Sequence, residues 1–153
     1  MYRRLLFIVA LALAIGPESS FAQQVQRIAA IVNDDIISQY DLNSRLRLVI
    51  VSSQIPDTAD VRRRISPQVL RLLIDERLQL QEAKLRNISV TKKDMSRSII
   101  NIERQNKVPE GGFDRFLSQN NIEAQTVRDQ IRANIAWSKL VGRRLRPRVS
   151  VGP

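Results

Sequence analysis

The sequence predicts a mostly α-helical domain in which an N-terminal β-hairpin precedes about five helices packed around a central helix. Two short apolar runs near residue 30 are separated by a polar turn, which favours a hairpin. Beyond residue 38 the apolar residues recur at helical spacing. One segment, residues 66–86, carries two apolar stripes instead of one. A surface helix needs only one such stripe, so we expect this helix to be covered from two sides.

The central helix is predicted from Ser66 to Arg86, with Ser66 as N-cap and Pro67 at the first helical position. Its polar arc is narrow. The first apolar stripe contains Val69, Leu72, Leu73, Leu80 and Ala83, and the second contains Leu70, Ile74, Leu78 and Leu85.

The hairpin is predicted from a strand over residues 25–32, a turn at Asn33-Asp34-Asp35 and a second strand that begins at Ile36. Ser38 is expected to cap the next helix, with Asp41 completing a capping box. That helix should end before Pro56. Asp60 is expected to cap a short separate segment over residues 61–65.

Three further helices are predicted in the second half of the chain. Thr91 is the expected N-cap of the first, whose inner face would hold Met95, Ile99 and Ile102. A break at residues 109–112 precedes a short helix over residues 113–117. The last helix should span residues 123–145, and the side chains expected to face inward are Ile131, Asn134, Ser138, Val141 and Leu145.

The first 22 residues are predicted to be a signal peptide that is cleaved after Ala22. Arg3 and Arg4 precede an apolar run too short to span a bilayer, and small residues stand at Ser20 and Ala22. We therefore expect an exported protein that begins at Gln23.

The composition argues against common catalytic and metal sites. The chain has no cysteine and no histidine, so it lacks thiolate ligands and the commonest general base. The carboxylates of Asp34 and Asp35 lie in a turn, and those of Asp75 and Glu76 diverge by about 100° on a helix. No catalytic residue, metal or cofactor is expected. The net charge of +10 is explained either by a solvated arginine-rich surface or by attraction to an anionic partner. In an exported protein, acidic polypeptide or an anionic membrane surface is favoured over nucleic acid, although a basic protein that binds anionic lipid or nucleic acid remains an alternative.

Three segments resemble a known family: RIAAIVNDDIISQYDL, VLRLLIDERLQLQEAKLRNISVTKKDM and VRDQIRANIAWSKLVGRRL. Their order is similar to that of the N-terminal domain of SurA-type periplasmic chaperones, which are parvulin-type peptidyl-prolyl isomerases. The family often has Asn-Gly where this chain has Asn33-Asp34. The resemblance implies a chaperone domain over residues 23–146, located in the periplasm. It also implies ATP-independent binding of unfolded outer-membrane proteins or aromatic-rich segments, with assistance to their folding and assembly.

The resemblance also implies a missing catalytic part. Residues 147–153 correspond to the start of the linker that leads to the first parvulin domain, so isomerase activity is assigned to no residue of this chain. By the same resemblance, the C-terminal element that completes the family's core is expected to be missing from this chain. We therefore expect an incomplete apolar cradle, filled by a second copy of the chain or by a client peptide.

The candidate peptide-binding residues are apolar side chains on the predicted helices, and ordinary core packing is the alternative reading for each. They are Leu46, Ile50, Leu73, Leu80, Met95, Ile99, Trp137 and Val141.

Overall fold

The computed structural model describes residues 27–145. The predicted signal peptide and the predicted linker over residues 147–153 lie outside this range. Two strands and five helices occur within it, which confirms the mostly α-helical fold with an N-terminal hairpin. The elements are β1 (Ile28–Val32), β2 (Asp35–Ser38), α1 (Gln39–Ser52), α2 (Ala59–Leu85), α3 (Lys92–Gln105), α4 (Phe113–Gln119) and α5 (Ala124–Leu145).

The hairpin and the start of α1 form as their local sequence predicts. β1 and β2 pair antiparallel, and Asn33 adopts a left-handed conformation in the turn with φ of 54°. The Ser38 hydroxyl accepts a hydrogen bond from the backbone N–H of Asp41, and the Asp41 carboxylate accepts one from the N–H of Ser38. This is the capping box expected from the sequence.

The start of α2 differs from the prediction. The helix begins at Ala59 under a Thr58 cap and continues through Pro67, so neither the Ser66 cap nor a separate segment over residues 61–65 exists. Pro67 lacks one N–H donor, but Ile65 packs against the core cluster that contains Val69. No side chain of the first two turns is fully buried, and the packing of the half-buried Ile65 favours a helix that starts before Ser66.

Helix α2 lies at the centre of the domain, as predicted. It contacts α1, α5 and both strands, and its residues Val69 and Ala83 are buried. Ala83 packs against Ala136 and Leu140 of α5, where small side chains let two helices approach closely. The apolar stripes are not fully covered, because Leu72, Leu78 and Leu85 are exposed.

The inward face of α5 also differs from the prediction. Asn134 and Ser138 are exposed, whereas the buried side chains are Val127, Ile131, Ala133, Ala136 and Leu140. Helix α5 meets α2 on one side and the cluster of α3 and α4 on another. Asn134 and Ser138 lie on a part of the α5 surface that takes part in neither of these two contacts. Val141 is half-buried, and the side chain of Leu145 lies outside the description.

Helix α3 presents the inner face predicted for it. Met95, Ile99 and Ile102 pack against a buried cluster formed by Phe113, Leu117, Ile122, Val127 and Ile131. Thr91 caps the helix, again with a capping box, here completed by Asp94. Across residues 27–145, none of the helices combines the length and hydropathy needed to cross a bilayer.

Candidate functional site

The most capacious depression described on the surface lies between α3 and α5, with a volume of about 1000 Å³. We call it the α3–α5 groove. Its apolar lining consists of isoleucines: Ile88, Ile102, Ile131 and Ile135. Ile131 is buried, and the side chains of Ile102 and Ile135 are half-buried, so they form a fixed apolar floor.

Uncharged polar side chains flank this floor. Ser98, Asn101, Asn134 and Ser138 line the groove, and none of these four side chains makes a hydrogen bond with the rest of residues 27–145. Each amide or hydroxyl can both donate and accept. The groove therefore offers apolar contact together with hydrogen-bonding groups that suit a polypeptide main chain.

Two cationic side chains, Lys139 and Arg143, line the groove near the C-terminal end of α5. The ammonium of Lys139 lies 2.5 Å from the Asp94 carboxylate and donates to the carbonyl oxygen of Ser89 at 3.0 Å. The hydrogen bond from Lys139, and then those from Thr91, hold the pKa of Asp94 well below its ordinary value. Arg143 is exposed and makes no ion pair within the described residues. The groove lining contains no carboxylate.

Four of the predicted binding residues lie along α1 and α2. Leu46 and Ile50 are each only 3% exposed, so they belong to the core. Leu73 and Leu80 line a smaller cleft of about 180 Å³ between α1, α2 and the N-terminal part of α5.

The other four lie on α3 and α5 but not in the α3–α5 groove. Met95 and Ile99 line a separate groove of about 620 Å³ on another side of α3. Trp137 is exposed, and Val141 is half-buried one turn beyond it. The structure therefore does not bring the eight predicted residues together at one site, and the peptide-binding role assigned to them stays a prediction.

The sequence contained a signal for the groove. Asn134, Ser138 and Gly142 are spaced four residues apart on the same side of α5 as Ile131 and Ile135. Small polar residues within an apolar stripe favour a face that is partly open to solvent, whereas the prediction placed Asn134 and Ser138 inward. Ile88 follows α2 in a connector, where helical periodicity gives no information.

A second apolar surface lies on the hairpin. Ile31 and Ile36 stand opposite each other across the two strands and are 67% and 55% exposed, and Ile28 is exposed beside them. Exposed isoleucines directly opposite each other on a two-stranded sheet are consistent with a surface that another chain covers.

Comparison with known proteins places these features in a family. The model of the SurA N-terminal domain matches residues 25–141. Proteins named Chaperone SurA are similar to this chain over 150 residues in Yersinia pestis bv. Antiqua (strain Antiqua), at 29% identity, and in Pectobacterium atrosepticum, at 31% identity. Each match covers 94% of this chain and 34% of the relative.

Chaperone SurA of Photorhabdus laumondii subsp. laumondii is 29% identical over 157 residues, which is 99% of this chain and 35% of the relative. The chain thus spans about a third of the length of the curated relatives that it matches. Since the family model covers most of the chain, including the hairpin and nearly all of α5, the protein belongs to the SurA N-terminal domain family.

Proposed function

We propose that this domain is a periplasmic chaperone module that holds unfolded segments of outer-membrane proteins without ATP and assists their assembly. The observation that carries the proposal is the open α3–α5 groove with its isoleucine floor and unpaired polar flanks. Membership of a family whose relatives are named chaperones supports it.

The chemistry of the groove suits clients of many sequences. Every client shares the same main-chain N–H and C=O groups, which the side chains of Asn101 and Asn134 can pair with. The isoleucine floor adds apolar burial at about 25 cal/mol per Å², whichever apolar side chain is present. Binding of this kind requires no nucleotide, and the sequence has no Gly-rich phosphate-binding motif.

The proposal is tested by diluting a urea-unfolded outer-membrane protein into buffer that contains the purified chain, expressed from Gln23. We expect light scattering to fall at a few-fold molar excess of the domain. Absence of any suppression at several-fold excess contradicts the proposal.

A variant that fills the groove makes the test specific. Ser138→Trp places a large side chain in the groove at an exposed position, and we expect it to weaken the suppression several-fold. Gln68→Trp is the matched control, since Gln68 is exposed on α2 and lines no described groove. Equal loss of suppression in both variants would contradict a role for the α3–α5 groove.

Isomerase activity is not part of the proposed function. The family match is to the SurA N-terminal domain, and no residue of this chain is assigned a catalytic role. A protease-coupled assay with a proline-containing peptide should therefore show no acceleration by the purified chain.

A further inference from the structure

We propose that the α3–α5 groove selects extended client segments that carry an acidic side chain next to apolar residues, and that Arg143 binds this carboxylate. The inference rests on the proposed chaperone function and goes beyond it by naming a client chemistry. The evidence for this client chemistry is the distribution of charged side chains in the groove lining.

The lining is cationic at one end and has no anionic group. Lys139 and Arg143 are its charged residues. Lys139 is already ion-paired with Asp94 at 2.5 Å, and a second N–H of its ammonium donates to the carbonyl oxygen of Ser89. Arg143 has no such partner among the described residues, so its charge is available to a ligand.

Gly142 leaves room for that ligand beside Arg143. A Cβ atom built on Gly142 would have no heavy atom within 4 Å apart from its own helix backbone and its two chain neighbours. The groove is therefore open at the cationic end, where a carboxylate can approach the guanidinium and form a charge-assisted hydrogen bond.

Within residues 27–143, whose side chains are described, the attraction should depend mainly on Arg143, because the other groups near this end do not favour an anion. The C-terminal part of a helix carries a partial negative charge, and Arg143 lies two residues before the end of α5. Without the guanidinium, an incoming carboxylate would face this dipole and Asp94, which is ion-paired to Lys139.

The neighbouring groove on α3 has a lining of mixed charge. Lys92, Arg128 and Arg132 line it together with the carboxylates of Glu103 and Glu110. An acidic segment in that groove therefore meets like charges, whereas the lining of the α3–α5 groove contains no carboxylate that would repel it.

The test uses three fluorescein-labelled extended peptides with the same apolar residues and a central Glu, Gln or Lys. Fluorescence anisotropy gives the Kd of each for the purified chain. We expect the Glu peptide to bind about three- to fivefold more tightly than the Gln peptide, as for a solvent-exposed ion pair. The Lys peptide should bind more weakly than both. The Glu preference should shrink in high salt.

Substitution of Arg143 assigns the preference to one residue. Arg143→Gln should remove the preference, so that the Glu peptide binds no more tightly than the Gln peptide. Arg71→Gln is the matched control, because Arg71 is exposed on the polar arc of α2, and it should keep the preference. A preference that survives Arg143→Gln overturns the assignment.

The outcomes separate this inference from the proposed function. Equal Kd values for the Glu and Gln peptides, with aggregation still suppressed, overturn the acidic preference alone. Absence of both peptide binding and suppression overturns the two proposals together. Ser138→Trp should weaken binding of all three peptides, and unchanged binding would show that they occupy another surface.

Discussion

Arg45 and Glu76 form a bidentate ion pair in the interior of the domain. One terminal guanidinium nitrogen of Arg45 donates to Oε1 of Glu76 at 2.5 Å, and the other donates to Oε2 at 2.8 Å. The Arg45 side chain is 2% exposed and also reaches the carbonyl oxygen of Thr126 at 3.4 Å. This pair ties α1, α2 and α5 together next to the cleft that contains Leu73 and Leu80.

Glu76→Gln should destabilise the fold strongly, because it leaves the buried Arg45 charge without a counter-ion. We expect a loss of about 3–5 kcal/mol in the free energy of unfolding, measured by urea denaturation with circular dichroism. Glu110→Gln makes the same substitution at an exposed position, where the change should stay within about 0.5 kcal/mol. Equal effects of the two substitutions would show that the ion pair does not stabilise the fold.

Adjacent isoleucines of β2 should respond very differently to truncation. Ile37 is 1% exposed and faces the core, so Ile37→Ala should cost about 2–5 kcal/mol. Ile36→Ala removes the same atoms from the exposed outer face and should cost less than about 1 kcal/mol. The same urea denaturation compares them. If the Ile36 variant lost as much stability as the Ile37 variant, the outer face of the hairpin would be covered, as by a second copy of the chain.

Replacement by alanine should lower the free energy of unfolding at one glycine and raise it at another. At Gly112 the added Cβ would lie 2.8 Å from the Pro109 carbonyl oxygen and 3.1 Å from a Val108 methyl, so Gly112→Ala should cost about 1–3 kcal/mol. At Gly142 the space is open and the backbone is helical, so Gly142→Ala should stabilise the protein by about 0.5–1 kcal/mol. Thermal unfolding followed at 222 nm measures both. Destabilisation by Gly142→Ala would contradict the open space beside Arg143.

Because of Asp94, the free energy of unfolding should decrease as the pH falls into the acidic range. Its pKa is held below the ordinary value of 3.8 in the folded state by Lys139 and Thr91, so the unfolded chain binds the proton more readily. The stabilisation is therefore complete above the unfolded pKa and is lost as the pH falls towards the folded one. Asp94→Asn should lower the urea midpoint near neutral pH and reduce its dependence on pH below about 4. Lys139→Met should reduce the same dependence in part, because the Thr91 hydrogen bonds remain. An unchanged pH profile in Asp94→Asn would contradict the assignment.

The elements fixed by neighbouring residues could be predicted from the sequence. Both capping boxes, Ser38 with Asp41 and Thr91 with Asp94, depend on residues three positions apart, and both form. The start of α2 could not be predicted in this way, because Ser66 and Pro67 match a helix start locally, whereas the packing of the half-buried Ile65 against a core cluster favours an earlier start.

The site was harder to predict than the fold. Helical periodicity gives the apolar side of α5 but does not show that α2 and the α3–α4 cluster approach it from different directions, which leaves Asn134 and Ser138 between them. The Arg45–Glu76 pair joins residues 31 positions apart, and no local pattern marks it. Packing between distant segments decides both features.

Trp137 is the sole tryptophan of the chain, and 43% of its surface is exposed on the helix that forms one wall of the groove. The tryptophan emission of this protein therefore originates from one place on α5, in a largely aqueous environment. A partner that covers this indole will shift the emission to shorter wavelength, so association at this helix can be titrated optically without attaching any dye.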